Sequence, residues 1–226
     1  MRCGAARFRA FFVSLSVVAL LATGASAALR VPQVAVMSGS LQSYFNGVGE
    51  SINAWTDQNA VQAWQASDKS LYLIFEYSGN AAANAIGIYN ASLPAPPLYQ
   101  VFPGDVTPGW WAFAEFRTAP NRLIVSLFDG DANLQGFTTY PGADPTNFAY
   151  YLQGSGDLYY TQDSRNPGGV ARALAYAGTG SNSGQWWLCW EDGDDQDFDD
   201  SVVFMEWYAP TPVSKTTWGA LKKRFR

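Results

Sequence analysis

The sequence of 226 residues contains no histidine and only two cysteines. Without histidine the chain can form neither a Ser-His-Asp or Cys-His nucleophilic site nor a histidine-ligated zinc or iron site. Cys3 lies in a segment that we expect to be removed, so Cys189 remains alone and no intrachain disulfide can form. Cys189 stands in an apolar run and is expected to be a buried small side chain. The remaining chemistry is that of carboxylates, as a hard-cation site or a glycosidase-like pair.

The first 27 residues have the pattern of an export signal. Arginines in the first nine residues form a basic region, residues 10–22 are apolar apart from two serines, and residues 25–27 read Ala-Ser-Ala, a small-residue cleavage site. We predict a signal peptide over residues 1–27 and a mature chain that begins near Ala28, is secreted or held at the cell surface, and has no transmembrane span. The alternative is an N-terminal membrane anchor, but the apolar run is shorter than the about 20 residues that a membrane-spanning helix needs.

Basic residues are few in the body of the chain. Three of the 14 Lys and Arg lie in residues 1–27 and five lie in the last twelve residues, which leaves six against all 19 Asp and Glu. Binding to nucleic acid needs a basic footprint, so the composition excludes a nucleic-acid partner. An acidic body is typical of a soluble extracellular domain or of one that binds cations.

The body has no long amphipathic helical pattern. One short helix is predicted, at Ser40–Phe45. Short segments rich in aromatic and branched residues alternate with Gly, Pro, Asn and Asp, which predicts an all-β antiparallel β-sandwich or jelly roll over residues 28–208. A Pro-rich linker at Ala209–Pro212 ends this domain, and residues 209–226 include a short basic tail. That tail is a sorting tag, a basic arm or an end without function. The predicted strands are Leu71–Tyr77, Trp110–Arg117, Arg122–Phe128, Gln135–Tyr140, Phe148–Gln153, Leu158–Thr161, Arg172–Tyr176, Gln185–Trp190 and Ser201–Tyr208.

The strongest local signal is an acidic stretch, residues 191–200, in which seven of ten side chains are carboxylates. Both flanks have strand patterns, so packed β-structure would force the carboxylates together, and a cation would relieve their repulsion. Calcium accepts about six to eight oxygen ligands in flexible geometry, whereas magnesium keeps more water and strict octahedral geometry. We therefore predict a calcium site; the alternative is a solvated acidic loop without an ion. The predicted ligands are Glu191, Asp192, Asp195, Asp197, Asp199 and Asp200.

At this stretch the chain resembles a functionally uncharacterised bacterial family of exported domains. These domains carry a Phe-Glu-Asp…Gly-x-Asp-Phe-Asn-Asp type of signature followed by a strand, often in proteins with PEP-CTERM sorting signals and in surface adhesins. The matching residues here are 190–192, 195–200 and 202–204, with Trp190 in place of Phe and Asp199 in place of Asn. The resemblance implies an extracellular β-domain that binds calcium, and it implies no activity. The basic tail departs from the PEP-CTERM pattern, because it has neither a Pro-Glu-Pro motif nor a hydrophobic span.

A second acidic stretch, Asp129-Gly130-Asp131-Ala132-Asn133, has an Asp-x-Asp-x-Asn pattern that suits an ion. Asp-Gly between two apolar runs is first of all a hairpin signal, so a hairpin is the favoured interpretation.

Two other functions remain open besides a calcium-binding module with a structural, adhesive or binding role. The first is a carbohydrate-binding module, since the chain has nine Trp and twelve Tyr and one of each pair Trp110-Trp111 and Trp186-Trp187 can face solvent. The partner would then be an extracellular glycan or surface polymer. The second is a carboxylate-dependent glycosidase, but nothing in the sequence pairs Glu76, Glu115 or Glu206. We expect a protein that is not an enzyme.

Overall fold

The computed structural model describes residues 28–66, 72–77, 84–154 and 156–208, with the backbone alone for 72–77 and 207–208. The predicted signal peptide, residues 1–27, and the predicted linker and tail, residues 209–226, lie outside the described residues. None of the helices in the described ranges is both long and apolar enough to span a membrane.

One α-helix and eleven strands form the regular structure of this part of the chain. Short 3-10 turns lie at Asp163–Arg165, Pro167–Gly169 and Gly180–Asn182. The longer elements are α1 (Ser40–Gly47), β1 (Tyr72–Tyr77), β2 (Ala85–Asn90), β3 (Leu98–Phe102), β4 (Trp111–Thr118), β5 (Asn121–Phe128), β6 (Leu134–Pro141), β7 (Phe148–Gln153), β8 (Leu158–Tyr160), β9 (Ala173–Ala177), β10 (Trp186–Trp190) and β11 (Ser201–Tyr208).

The strands form two sheets in which the described pairs are all antiparallel. The larger sheet has the order β6-β5-β4-β1-β11-β10-β9, and the smaller has the order β3-β2-β7-β8. Side chains on β4 alternate, so that Ala112, Ala114 and Phe116 are buried and their neighbours are partly exposed. The buried side chains of β4 pack with Phe148 and Tyr150 of the smaller sheet in one core cluster. The predicted antiparallel β-sandwich is confirmed.

A second hydrophobic cluster lies on the other face of the larger sheet. Leu41 and Phe45 of α1 are fully buried there and pack with Trp187 of β10, with Cys189 and with Phe204 of β11. The predicted short helix is confirmed and ends two residues later than predicted. The N-terminal segment thus forms a third layer, and this layer covers the hairpin that carries the acidic stretch.

Two strands of the smaller sheet, β2 and β3, were not predicted from the sequence. Gly87 interrupts the side-chain pattern of β2. A Cβ at that position would lie 2.3 Å from the main-chain oxygen of Tyr99 and 2.6 Å from a ring carbon of Tyr151, so no other side chain fits there. Glycine is therefore needed at this position, where the main chain of β3 and the Tyr151 ring of β7 lie close to β2. Prolines at residues 94, 96 and 97 precede β3, and because proline is typical of loops, the short strand pattern that follows is not recognised in the sequence.

Candidate functional site

The acidic stretch is the loop that joins β10 to β11. Trp190 pairs with Ser201 at the end of the hairpin, and residues 191–200 form the connection. The main-chain N–H of Glu191 donates to the carbonyl of Arg172, at 3.0 Å. Packed β-structure thus holds both ends of the loop, as the sequence predicts.

A buried aromatic side chain fixes the path of the loop. Phe198 is 1% exposed and belongs to the hydrophobic cluster under the N-terminal layer. Gln196 and Phe198 both have left-handed backbone conformations, with φ of 56° and 58°. The carbonyl of Gln196 accepts a hydrogen bond of 2.8 Å from the main-chain N–H of Met37. Hydrophobic packing and a contact with the N-terminal segment therefore hold the loop in an uncommon conformation.

Four carboxylates of the loop converge. One oxygen from each of Glu191, Asp195, Asp197 and Asp200 lies within 4.8 Å of the others. Calcium binds oxygen at about 2.3–2.6 Å, so any two of its ligands lie no more than about 5 Å apart. The four oxygens can therefore belong to one calcium coordination shell. Glu191 is buried and Asp195 is exposed, so the group opens towards solvent, which can supply the remaining ligands as water.

The electrostatics of this group favour a cation. Burial raises the pKa of Asp200 to about 7, and the charges of Asp192 and Glu191 act in the same direction. Burial also raises the pKa of Glu191 and that of Asp197, and the charge of Asp195 adds to both shifts. These groups resist ionisation because each is partly desolvated beside other carboxylates. A bound divalent ion would reverse the effect by stabilising the ionised forms.

Main-chain groups of the loop position Glu191. Its Oε1 accepts a hydrogen bond of 3.0 Å from the N–H of Gly193, and its Oε2 accepts a longer one of 3.5 Å from the N–H of Phe198. A Cβ at Gly193 would lie 3.3 Å from Oε1 of Glu191, so the carboxylate passes close to the main chain. The most buried member of the group is thus held in place by the loop itself.

The structure does not bring Asp192 and Asp199 into this group. The Nδ2 of Asn84 donates to Oδ2 of Asp192, and that amide also lies 3.4 Å from the hydroxyl of Ser201. The main-chain N–H of Asp199 donates to Oδ1 of Asp197, at 3.3 Å. Four of the six predicted ligands therefore lie together, and the other two lie beside them; the ligand set stays a prediction.

Arg172, which lies outside the loop but contacts it, is not among the site residues predicted from the sequence. Arg172 donates hydrogen bonds to the carbonyl of Gly193 and to Oδ1 of Asp194, and its guanidinium lies 4.6 Å from the centre of the Tyr159 ring. Arg172 directly precedes β9, and the pairing of β9 with β10 brings it next to the loop that follows β10. No local pattern signals such a contact, since it depends on the order of the strands.

The second acidic stretch is a hairpin turn between β5 and β6, as favoured from the sequence. Oδ1 of Asp129 accepts from the main-chain N–H groups of Asp131 and Asn133, and Oδ2 accepts from the side chains of Asn133 and Gln135. These donors occupy both oxygens of Asp129, so the turn needs no ion for its stability.

The tryptophan pairs do not form an exposed platform. Trp186 packs against the core between the sheets, and Trp187 lies in the cluster on the opposite face, as adjacent strand residues must. Trp110 is half-buried, and Trp111 stacks on Phe128 with ring centres 4.1 Å apart. Each of the four tryptophans therefore has a packing role, but Trp110, Trp111 and Trp186 stay partly exposed, so each pair keeps a member that is partly open to solvent.

The three glutamates weighed for glycosidase chemistry lie on neighbouring strands of the larger sheet. Glu76 belongs to β1, and Glu115 and Glu206 belong to β4 and β11 on either side of it. Glu115 forms an ion pair of 2.5 Å with Arg117. The glycosidase alternative gains no support from these contacts.

Comparisons with known proteins give little further information. The chain matches no protein-family model and no curated protein. Among solved structures it is similar to the Chromobacterium violaceum lectin CV2L in complex with alpha-methyl-fucoside. That match is 12% identical, covers 66% of this chain and 97% of the lectin chain, and has a TM-score of 0.31. A likeness this distant carries no conclusion about function.

Proposed function

We propose that the chain is a secreted or cell-surface β-sandwich module that binds one calcium ion in the loop between β10 and β11. The observation that carries the proposal is the convergence of Glu191, Asp195, Asp197 and Asp200 within 4.8 Å, in a loop that is anchored by a buried aromatic side chain. Oxygen ligands in this number and spacing suit calcium. The loop contains neither histidine nor cysteine, so it offers only oxygen ligands, which suit calcium better than softer metals.

The ion would connect parts of the fold that are distant in sequence. Glu191 follows β10 and Asp200 precedes β11, so one cation would bridge the two ends of the loop. Through Phe198 and the carbonyl of Gln196, the same loop contacts the N-terminal layer. Calcium would therefore stabilise the hairpin and its contact with that layer together, by binding the folded state in preference to the unfolded one.

The export pattern and the family resemblance of the acidic stretch support an extracellular location. Extracellular modules bind calcium with dissociation constants of about 0.1–1 mM. A site of four carboxylates with one exposed member suits this weak, structural class. The module would serve a structural, adhesive or binding role.

Calorimetric titration of the purified protein with calcium and with magnesium tests the proposal. We expect one calcium per chain and a much weaker response to magnesium. Asp197→Ala should abolish the calcium response, while Asp129→Ala, in the self-satisfied hairpin turn, should leave it unchanged. If Asp129→Ala alone removes binding, or if wild-type protein binds no calcium, the proposed site is wrong.

A further inference from the structure

The larger sheet has an uncovered edge. Its outermost strand, β6, pairs with β5, and within the described ranges no strand or bridge pairs with its other side. In an edge strand, the main-chain N–H and C=O groups of every second residue point away from the sheet. β6 therefore offers a row of donors and acceptors to which a further strand can pair.

The other three sheet edges are short or protected. β3 has five residues and β8 has three. The side-chain amide of Asn166 accepts from the N–H of Tyr160 and donates to its carbonyl, so it occupies the outer side of β8. The N–H of Asn59 donates to the carbonyl of Ala175 in β9, at 2.8 Å. With eight residues, β6 is the longest edge strand, and it lacks such a cover among the described residues.

β6 also lacks the charged side chains that keep edge strands of different molecules apart. Residues 134–141 contain no Asp, Glu, Lys or Arg, and six of these eight residues are exposed. Leu134 is 60% exposed and Phe137 is 64% exposed. The irregularity in the pairing of β6 with β5 lies at the Leu134 end and leaves the centre of the strand regular. Because charges are the usual protection of an edge, the composition of β6 permits pairing with another strand.

The two ends of β6 differ in charge. The strand begins after the turn that contains Asp129 and Asp131, and it ends where Pro141 pairs with Arg122 of β5. Asp131 is exposed, and Arg122 has no carboxylate partner in the described part of the chain. When two copies of β6 pair antiparallel, the acidic turn of each copy comes next to the basic end of the other. The charges therefore favour a second copy of this chain in antiparallel orientation.

We infer that the protein forms a two-fold symmetric dimer in which β6 pairs with β6 of a second copy, so that the two larger sheets become one continuous sheet. A two-fold axis near Phe137 and Thr138 places the two Phe137 rings on the same face of that sheet. They then lie directly or diagonally across from each other, within the reach of aromatic side chains.

The dimer contact is separate from the proposed calcium site. β10 and β11 lie on the far side of the larger sheet from β6, so the two acidic loops of a dimer are remote from the contact. A contact through one strand is small, and we expect a dissociation constant of roughly 1–100 µM.

Sedimentation equilibrium of the purified protein from about 1 µM to about 1 mM, in calcium and in EDTA, tests the inference. We expect the same monomer–dimer equilibrium in both conditions. Phe137→Lys places a positive charge on each side of the axis and should raise the dissociation constant roughly tenfold or more. Val48→Lys is its matched control, because Val48 is 45% exposed, follows α1 and should leave the dimer unchanged.

A pair of charge reversals tests the antiparallel orientation. Asp131→Lys should weaken the dimer, because the new charge lies near Arg122 of the second copy. Asp105→Lys makes the same change in net charge at an exposed position outside the β5–β6 hairpin, and it should not weaken the dimer. Equal dimerisation of these two variants would contradict the antiparallel orientation.

A wild type that stays monomeric at about 1 mM would overturn the inference, as would normal dimerisation of a Phe137→Lys variant that circular dichroism shows to be folded. A dimer that EDTA dissociates would place the contact at the acidic loops and would also overturn it. The calcium site itself is tested separately by the calorimetric titration, so either proposal can fail without the other.

Discussion

The main-chain N–H of Asp192 donates a hydrogen bond of 2.7 Å to Oδ2 of Asp200. The same carboxylate therefore closes the loop between β10 and β11 and belongs to the group of four that converges there. Its pKa is raised to about 7, first by burial and then by Asp192 and Glu191. Without a cation, Asp200 therefore both closes the loop through its hydrogen bond and destabilises the loop when its buried carboxylate is ionised.

Asp200→Asn separates these two roles. The amide oxygen can still accept from Asp192, but the buried charge is gone, so we expect the variant to unfold at a higher temperature than the wild type in EDTA. It should show little or no response to calcium, because one of four carboxylate ligands is lost. Thermal unfolding followed by circular dichroism measures both effects.

The matched control for this variant is Asp194→Asn. Asp194 is in the same loop, but its side chain is 97% exposed and pairs with Arg172 outside the carboxylate group. We expect the control to keep the calcium response of the wild type. If Asp194→Asn loses the response and Asp200→Asn keeps it, the ligand set is wrong.

The stability of the ion-free protein should depend on pH in an unusual direction. The pKa of Asp200 is about 7 in the folded chain and near 3.8 in the unfolded chain, so the folded state binds the extra proton between those values. Stability from this group is therefore highest below about pH 4, falls as the pH rises to about 7, and is constant above. Burial raises the pKa of Glu191 and of Asp197 as well, which acts in the same direction.

Calcium should reverse this dependence, because the ion binds the deprotonated carboxylates and its affinity weakens as the pH falls below about 7. Urea unfolding between about pH 5 and pH 8, in EDTA and in calcium, measures the two slopes. With no histidine in the chain, few other side chains titrate in this range. Equal slopes in EDTA and in calcium would contradict a carboxylate-bound ion.

Phe198→Ala should affect both the fold and the site. Loss of a fully buried phenylalanine lowers the free energy of unfolding by about 3–5 kcal/mol, and the loop also loses its anchor in the hydrophobic cluster. We expect weaker calcium binding in the variant that remains folded, measured by calorimetry at low temperature. Phe137→Ala is the control, since Phe137 is 64% exposed on β6 and its loss should change stability little.

Glu50 connects the N-terminal layer to the turn before β10. It accepts hydrogen bonds from Thr179, from Nδ2 of Asn182 at 2.6 Å and from Nε1 of Trp187 at 2.9 Å. Burial acts to raise the pKa of Glu50, but these donors outweigh it and hold the pKa below its ordinary value. Its stabilising effect is therefore present above about pH 4.5 and is lost as the pH falls through the lowered pKa.

Glu50→Gln should lower the free energy of unfolding by about 1–3 kcal/mol, because the new amide group faces donors and leaves at least one of them unpaired. Urea unfolding near neutral pH measures the change. Asp105→Asn, at an exposed acidic position, should have no comparable effect. A Glu50→Gln variant as stable as the wild type would contradict the role of this carboxylate as a buried acceptor.

The hairpin that carries the site was predictable because its signals are local. Alternating aromatic and branched residues predicted strands at Gln185–Trp190 and Ser201–Tyr208, and the structure has Trp186–Trp190 and Ser201–Tyr208. The density of carboxylates between them marked the loop. Spacing alone did not separate the four converging carboxylates from Asp192 and Asp199, because the left-handed conformations of two loop residues decide which side chains meet.

The rest of the site depends on long-range packing. The N-terminal layer reaches the loop through Met37 and Gln196, which are far apart in sequence. Arg172 reaches it because β9 lies beside β10. Likewise β2 and β3 were missed because Gly87 and nearby prolines conceal strands that the sheet partners stabilise. Such contacts follow from strand order, which local patterns do not encode.

The most direct test of the calcium site is thermal unfolding of the purified protein in EDTA, in excess calcium and in excess magnesium. At calcium about 100-fold above its dissociation constant, linkage adds about 2.7 kcal/mol, which raises the midpoint of a domain of this size by about 5–10 °C. We expect that rise with calcium and a much smaller one with magnesium. The same midpoint in all three conditions would mean that no ion binds and that residues 191–200 form a solvated acidic turn.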